Sequence, residues 1–339
     1  MEEKAVDFMD WEQPTPDALY ELVKDGWKAH ILRAAIHLNV FNTISEGLCT
    51  AKKIASSKGW MPRPTRVLLD SLCSLGFIAK KNGKYVLTPV SKAFLVSCNE
   101  TYAGEWIATL AIDRWQQLAN AVTTGEREIL DACSSSFAAC WKQDAAMEAL
   151  QRSRIDESLE MWRTVGVGPD TKQKIKVLDL ASGCGIKSLV LARYNHNAEI
   201  TCLDWAGVLQ VAEKLASKWG VLKQVSFEAG DLMETDYGES EFDAVLLGQI
   251  TYYLSPDHNK FVLKKVYRAL SPNGLVILHV PMADEERCQS KALITAVALL
   301  VLCEQAEIYT FSEYKSMLEE SGFSHVTKHS ESLISGKRL

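Results

Sequence analysis

Between Ile175 and Gly185 an apolar run ends in a carboxylate and two glycines: Ile175-Lys176-Val177-Leu178-Asp179-Leu180-Ala181-Ser182-Gly183-Cys184-Gly185. A strand buried on both faces reads as such a continuous run. Glycines directly after it let the backbone turn sharply and come close to a ligand. Helical periodicity then resumes over 188–193, and the unit repeats. Strands are predicted over 199–204, 225–229 and 242–247, with helices over 208–219 and 256–270. Ser271-Pro272-Asn273-Gly274 reads as a turn into a fifth strand over 275–280. Strands alternating with helices make parallel βαβ units, so this half is predicted to be α/β, a Rossmann-like doubly wound sheet.

The N-terminal part follows a different plan. Helices are predicted over 17–38, 50–56 and 65–75, the last introduced by Pro64 and closed by Gly76. Asn82-Gly83 between two strand-like runs signals a hairpin, because both turn positions need positive φ. Three helices and a hairpin form a winged-helix pattern. Winged helices can read DNA through the third helix, but the run over 65–75 is mostly apolar and lacks the Arg, Lys, Asn or Gln face that base edges require. The chain has 37 Lys+Arg against 43 Asp+Glu, a net charge of −6, where a nucleic-acid binder would carry a basic surplus. The expected role is packing or dimerisation, without a nucleic-acid partner. Residues 101–167 read as helical and aromatic-rich, with Trp106, Trp115, Trp141, Trp162, Met147 and Met161. Three domains are therefore expected: a winged-helix dimerisation domain over 1–100, a helical connector lining a substrate pocket over 101–170, and a cofactor-binding domain over 171–339.

The longest apolar run, 292–303, lies between Lys291 and Glu304 and is too short for a bilayer span of about 20 residues. The start, Met1-Glu2-Glu3-Lys4, has no apolar signal region. A cytoplasmic protein with no membrane partner is expected. The nine cysteines are scattered, without a Cys-x-x-Cys pair, which argues against a disulfide framework or a metal site.

Acidic residues follow successive strands. Asp179 precedes Gly183 by four positions. Asp204 ends the second strand, where a carboxylate accepts hydrogen bonds from ribose hydroxyls. Gly230-Asp231 follows the third, where a carboxylate can face an adenine amino group. A dinucleotide site wants a third glycine where this chain has Ser188. The Asp179 carboxylate would also repel a pyrophosphate. It suits the ammonium of a methionine moiety, directly or through water. S-adenosylmethionine (SAM) therefore fits better than NAD.

With these residues in view, the chain resembles class I SAM-dependent methyltransferases of the small-molecule O-methyltransferase family, which includes the caffeate and acetylserotonin enzymes and carries an N-terminal winged-helix dimerisation domain. The resemblance runs from Leu19 to the C-terminus. It rests on the segment from Val177 to Gly185, on Gly230-Asp231-Leu232, on Trp115-Gln116-Gln117-Leu118 through Gly125, and on Phe311-Ser312-Glu313-Tyr314 through Glu320-Ser321-Gly322-Phe323. It implies a SAM cofactor, a homodimer with interlocking N-terminal helices, and a small-molecule pocket. Cofactor contacts are expected at Asp179, Gly183, Gly185, Asp204, Trp205, Gly230, Asp231, Leu232 and Gln249. Trp115 and Met147 match family positions near the methyl donor and acceptor. Arg114 could pair with a substrate carboxylate, and Tyr253 and His279 are further substrate-site candidates.

One departure from the family bears on chemistry. The resemblance implies a general-base histidine after the fourth strand, in the run Gln249-Ile250-Thr251-Tyr252-Tyr253-Leu254-Ser255-Pro256-Asp257, and Tyr252 stands in its place. The base's supporting carboxylates fall on Val280 and, more loosely, on Glu307. A tyrosine titrates near 10 and is a poor base at neutral pH, although it can orient an acceptor. A thioether sulfur has no proton to lose, so its methylation needs alignment alone, a contribution on the order of 7–11 kcal/mol in well-aligned cases. The expected activity is methyl transfer to an acceptor that needs no strong base, with Tyr252 at the catalytic position. The thioether of a small carboxylic acid is favoured, as in the architecturally similar methylthio-hydroxybutyrate S-methyltransferases. O-methylation of a hydroxylated secondary metabolite through another base such as His279, or a SAM-binding enzyme that transfers no methyl, stays open. An extended segment would turn Tyr252 and Tyr253 to opposite sides.

Overall fold

The computed structural model describes residues 16–104, 106–107, 113–126, 135–168, 173–288 and 291–339, without the side chains of 113–114 and 135–140. The chain forms two compact units, Met1–Asp113 and Arg114–Leu339.

In the first unit, helices Asp17–His37, Val40–Ser45, Ala51–Lys58 and Pro62–Ser74 precede a hairpin of β1 (Ile78–Lys81) and β2 (Lys84–Leu87). Asn82 and Gly83 both take positive φ, 50° and 73°, as the tight turn demands. Thr50 accepts from Lys53 N and caps the third helix. Phe41, Ile54, Leu69, Leu72, Ile78 and Tyr85 are buried together. Asp70 holds the last helix to the hairpin, accepting from Tyr85 Oη at 2.7 Å and Lys80 Nζ at 3.0 Å. The helix Val40–Ser45 is absent from the sequence expectation. It arises because Asn39 adopts a left-handed conformation, φ 54°, and breaks the chain between two helices.

The second unit is built on a seven-stranded sheet of order β5-β4-β3-β6-β7-β9-β8. The strands are β3 (Ile175–Leu180), β4 (Ala198–Asp204), β5 (Val225–Ala229), β6 (Phe242–Gly248), β7 (Leu270–His279), β8 (Ser324–Ser330) and β9 (Leu333–Lys337). β3 to β7 run parallel, β9 pairs antiparallel with β7, and β8 with β9. The predicted doubly wound sheet is present, with an antiparallel edge added. Helices Ile186–Tyr194, Ala206–Trp219, Pro256–Ala269 and Phe311–Glu320 connect or flank these strands. The segment Ser271-Pro272-Asn273-Gly274 is a bulge inside β7, not a turn before it. Leu270 already pairs with Phe242, and Leu275 resumes with Ala244.

Register aligns the strand ends. Leu180 lies between Leu203 and Leu247, Asp204 beside Ala229, and Gly248 beside His279. The loops after β3, β4, β5 and β6 therefore open along one edge. The strand order reverses between β3 and β6, the switch point where open α/β sheets bind ligands. Among the described residues no helix is long and apolar enough to cross a membrane, and no group of three His, Cys, Asp or Glu could hold a metal ion.

Candidate active site

The bend after β3 forces unusual backbone. Ala181, Gly183 and Gly185 all have positive φ, 52°, 59° and 69°. Only glycine adopts this without strain, so Ala181 carries a local cost of order 1–3 kcal/mol that the surrounding structure must hold. Gly185 opens the helix Ile186–Tyr194, and among the described residues no side chain caps it.

Asp204 ties the bend to β4. Its Oδ2 accepts from Gly183 N at 2.8 Å and its Oδ1 from Trp205 N at 2.7 Å. Burial raises its pKa, and those two backbone bonds pull it back. Each oxygen keeps one lone pair, enough for two ribose hydroxyls. Asp231 is bound similarly: Oδ1 accepts from Met233 N at 2.7 Å and Oδ2 from Trp205 Nε1 at 3.3 Å. Gly230 N donates to Asp204 O, and a Cβ at Gly230 would collide with Thr235 Oγ1, so any larger residue there must displace that hydroxyl. Leu232 gives its carbonyl to the Lys265 ammonium at 3.1 Å. The carboxylates at these two strand ends, the spare acceptor capacity and the open glycine bend together fit the nucleoside of SAM.

Asp179 is placed differently from the expectation. It is only 2% exposed, and its Oδ2 accepts from Ser188 Oγ at 2.5 Å. Burial pushes its pKa up to about 7, against the Ser188 bond and the nearby Lys187. The residue that replaces the third glycine of a dinucleotide site is thus the partner of this carboxylate.

After β6, Gln249 takes φ 64° and donates its N–H to His279 O at 3.0 Å. Tyr252 Oη lies 3.4 Å from Gln249 Oε1. Thr251–Tyr253 is a 3-10 turn, not an extended segment, so the two tyrosines lie side by side with ring centroids 4.5 Å apart. Tyr253 also meets Trp141 edge-on at 4.9 Å. Burial raises the pKa of both tyrosines well above 10. Burial, with Lys187 and Arg154, lowers that of His279 to about 4, and among the described residues the buried His279 Nδ1 has no hydrogen-bond partner. Val280 is buried. Glu307 gives its N–H to Tyr252 O, but its carboxylate pairs with Arg287 at 3.2 Å. His258 is exposed at the start of its helix.

The structure adds a cluster that the sequence did not suggest. Glu148 Oε1 receives Lys187 Nζ at 3.0 Å and lies 3.7 Å from Arg154 Nε. Burial opposes ionisation of Glu148, yet Lys187 prevails and holds its pKa below the usual value. Trp162 Nε1 donates to Lys187 O at 2.7 Å and fastens the helix Ser153–Thr164 to the helix of the bend. Met147 precedes Glu148 and is half-buried. Trp115 is 37% exposed in the turn Asp113–Gln117, and no described contact joins it to the bend. The side chain of Arg114 lies outside the described residues.

Two family models match the chain: "Methyltransferase domain" over residues 177–274 and "O-methyltransferase dimerisation domain" over residues 20–97. The chain belongs to the SAM-dependent small-molecule methyltransferases of the O-methyltransferase family. The 3-hydroxy-5-methyl-1-naphthoate 3-O-methyltransferase of Streptomyces sahachiroi is 24% identical over 92% of this methyltransferase and 90% of its own length. A solved structure from Nostoc punctiforme, assigned as an O-methyltransferase, is 28% identical with TM-score 0.73, covering 96% of this chain and all of its own. Human N-acetylserotonin methyltransferase, solved with SAM, shares the fold at TM-score 0.70 and 17% identity, covering 97% of this chain and 99% of its own.

Proposed function

We propose that this methyltransferase moves the methyl group of SAM to a small-molecule acceptor whose reacting atom has no proton to lose, with the thioether sulfur of a small carboxylic acid as the first candidate. SAM, when bound, supplies an electrophilic methyl on a sulfonium. Asp204 holds the ribose, Asp231 and Trp205 border the adenine, and Gly183 and Gly185 give the backbone its close approach. Tyr252, Tyr253 and Gln249 orient the acceptor.

The observation that carries this reading is the protonation of the groups beyond β6. Tyr252 and Tyr253 stay protonated at any physiological pH, so neither takes a proton. His279 is neutral at pH 7, but with its pKa near 4 it is a weak base. An efficient general base titrates near the operating pH. Alignment alone then has to supply the acceleration. The aromatic faces of Trp141, Tyr252 and Tyr253 would also favour positive charge developing on a neutral acceptor.

O-methylation is the second reading, favoured by the Streptomyces relative's name. It would suit a phenol acidic enough to ionise in water. An acceptor screen read by release of S-adenosylhomocysteine (SAH) separates the two. Turnover of thioether carboxylates in preference to phenols supports the first. Turnover of phenols alone overturns it.

A further inference from the structure

The bend is overhung by charges that the reading above leaves unused. A side chain at Gly183 would first meet Glu148 Oε2, 3.8 Å away. The Cys184 thiol lies 3.7 Å from the same oxygen. The Lys187 stem crosses over Gly248, where a Cβ would stand 2.9 Å from its Cδ, so its ammonium reaches Glu148 across the switch point between β3 and β6. Glu157 takes Arg154 Nη1 at 2.9 Å on the outer side. Arg154 Nε, on the Glu148 side, is buried and makes no hydrogen bond among the described residues. A buried donor left unpaired is costly, more so on a charged group. Asp179, which the sequence aims at the methionine ammonium, is enclosed and engaged by Ser188.

A carboxylate oxygen turned to the bend, beside an arginine whose buried Nε is within ion-pair distance of Glu148 but makes no hydrogen bond among the described residues, complements a zwitterion. We propose that Glu148 binds the ammonium and Arg154 the carboxylate of the amino-acid end of SAM, that Lys187 fixes Glu148 for this contact, and that Asp179 makes no contact with the cofactor. The inference rests on SAM lying at the glycine bend.

Calorimetry with two ligands tests it without turnover. SAH carries the amino-acid end, and 5′-methylthioadenosine lacks it. The variants Glu148→Gln and Arg154→Met are expected to weaken SAH about tenfold or more, the loss of a charged hydrogen bond, and to leave 5′-methylthioadenosine within about twofold. Asp179→Asn should leave the ratio of the two affinities unchanged. Glu148→Gln strands a buried lysine and can unfold the protein, so the double variant Glu148→Gln/Lys187→Met, which removes the pair together, reads the same ratio. Equal weakening of both ligands, or no weakening of SAH, overturns the proposal, as does a ratio that moves only in Asp179→Asn. If the wild-type protein binds neither ligand, the failure lies instead with the placement of SAM.

Discussion

Asp204 joins the bend after β3 to the end of β4 through two charge-assisted backbone bonds, each of a kind that contributes about 1.5–3 kcal/mol. In Asp204→Ala the N–H groups of Gly183 and Trp205 lose their acceptor and the ribose loses its carboxylate. SAH affinity measured by calorimetry should drop by about 100-fold, and unchanged affinity would rule out the cofactor placement. Tyr252→Phe keeps the ring against Tyr253 and removes only a hydroxyl that stays protonated. Turnover should fall by no more than about tenfold, against the 10²–10⁴ expected on removing a general base. Complete loss in a folded variant would give Tyr252 a chemical role. Asp204, Gly230 and Asp231 stand out in the sequence because Asp204 ends a strand and Gly230-Asp231 follows the next. The Glu148–Lys187–Arg154 cluster was not legible, because Glu148 and Lys187 are far apart in sequence and Lys187 sits in what reads as an ordinary helix.

At the scale of elements, β3 and the helix Ile186–Tyr194 are joined by the Asp179–Ser188 bond. This bond has a pH signature. An unfolded aspartate titrates near 3.9, whereas Asp179 keeps its proton up to about 7. The folded state holds the extra proton between these values. The site's contribution to stability is therefore complete below about pH 4 and is lost as pH rises to about 7. His279 works in the opposite sense between about pH 4 and 6.5, because its folded pKa is lowered. The comparison is therefore made between Asp179→Asn and wild type from about pH 6 to 8. Over that range chemical denaturation should show wild type losing about 1.4 kcal/mol relative to the variant, most of it below pH 7. Parallel stability curves would contradict the burial of this carboxylate. The parallel strands were readable as apolar runs. β8 and β9 were not, because Ser324–Ser330 is an edge strand with mostly half-buried and exposed polar residues, and β9 is only five residues long. The bulge in β7 misled for a related reason. Pro272, Asn273 and Gly274 are turn residues, and only pairing on both sides shows that the strand continues through them.

For the whole molecule, the helix Asp17–His37 leaves Leu19, Tyr20, Leu22, Val23 and Trp27 exposed, Leu22 by 69% and Trp27 by 59%. A face this apolar on the segment that matches the dimerisation domain fits a homodimer. Leu22→Glu with Trp27→Glu should convert a dimer into a monomer in sedimentation analysis, and a dimer that persists would place the interface elsewhere. The winged-helix outline was readable from its hairpin turn, and the apolar third helix already argued for packing over DNA. The catalytic reading depends on a combination that no single segment reveals: buried tyrosines after β6 and a neutral histidine at the end of β7, whose carbonyl accepts from Gln249 N. Its most direct test is the pH dependence of methyl transfer in a single turnover with a thioether acceptor. The account predicts a rate flat within about twofold from about pH 6 to pH 9. A rate that climbs about tenfold per pH unit to a plateau would reveal a titrating base and contradict it.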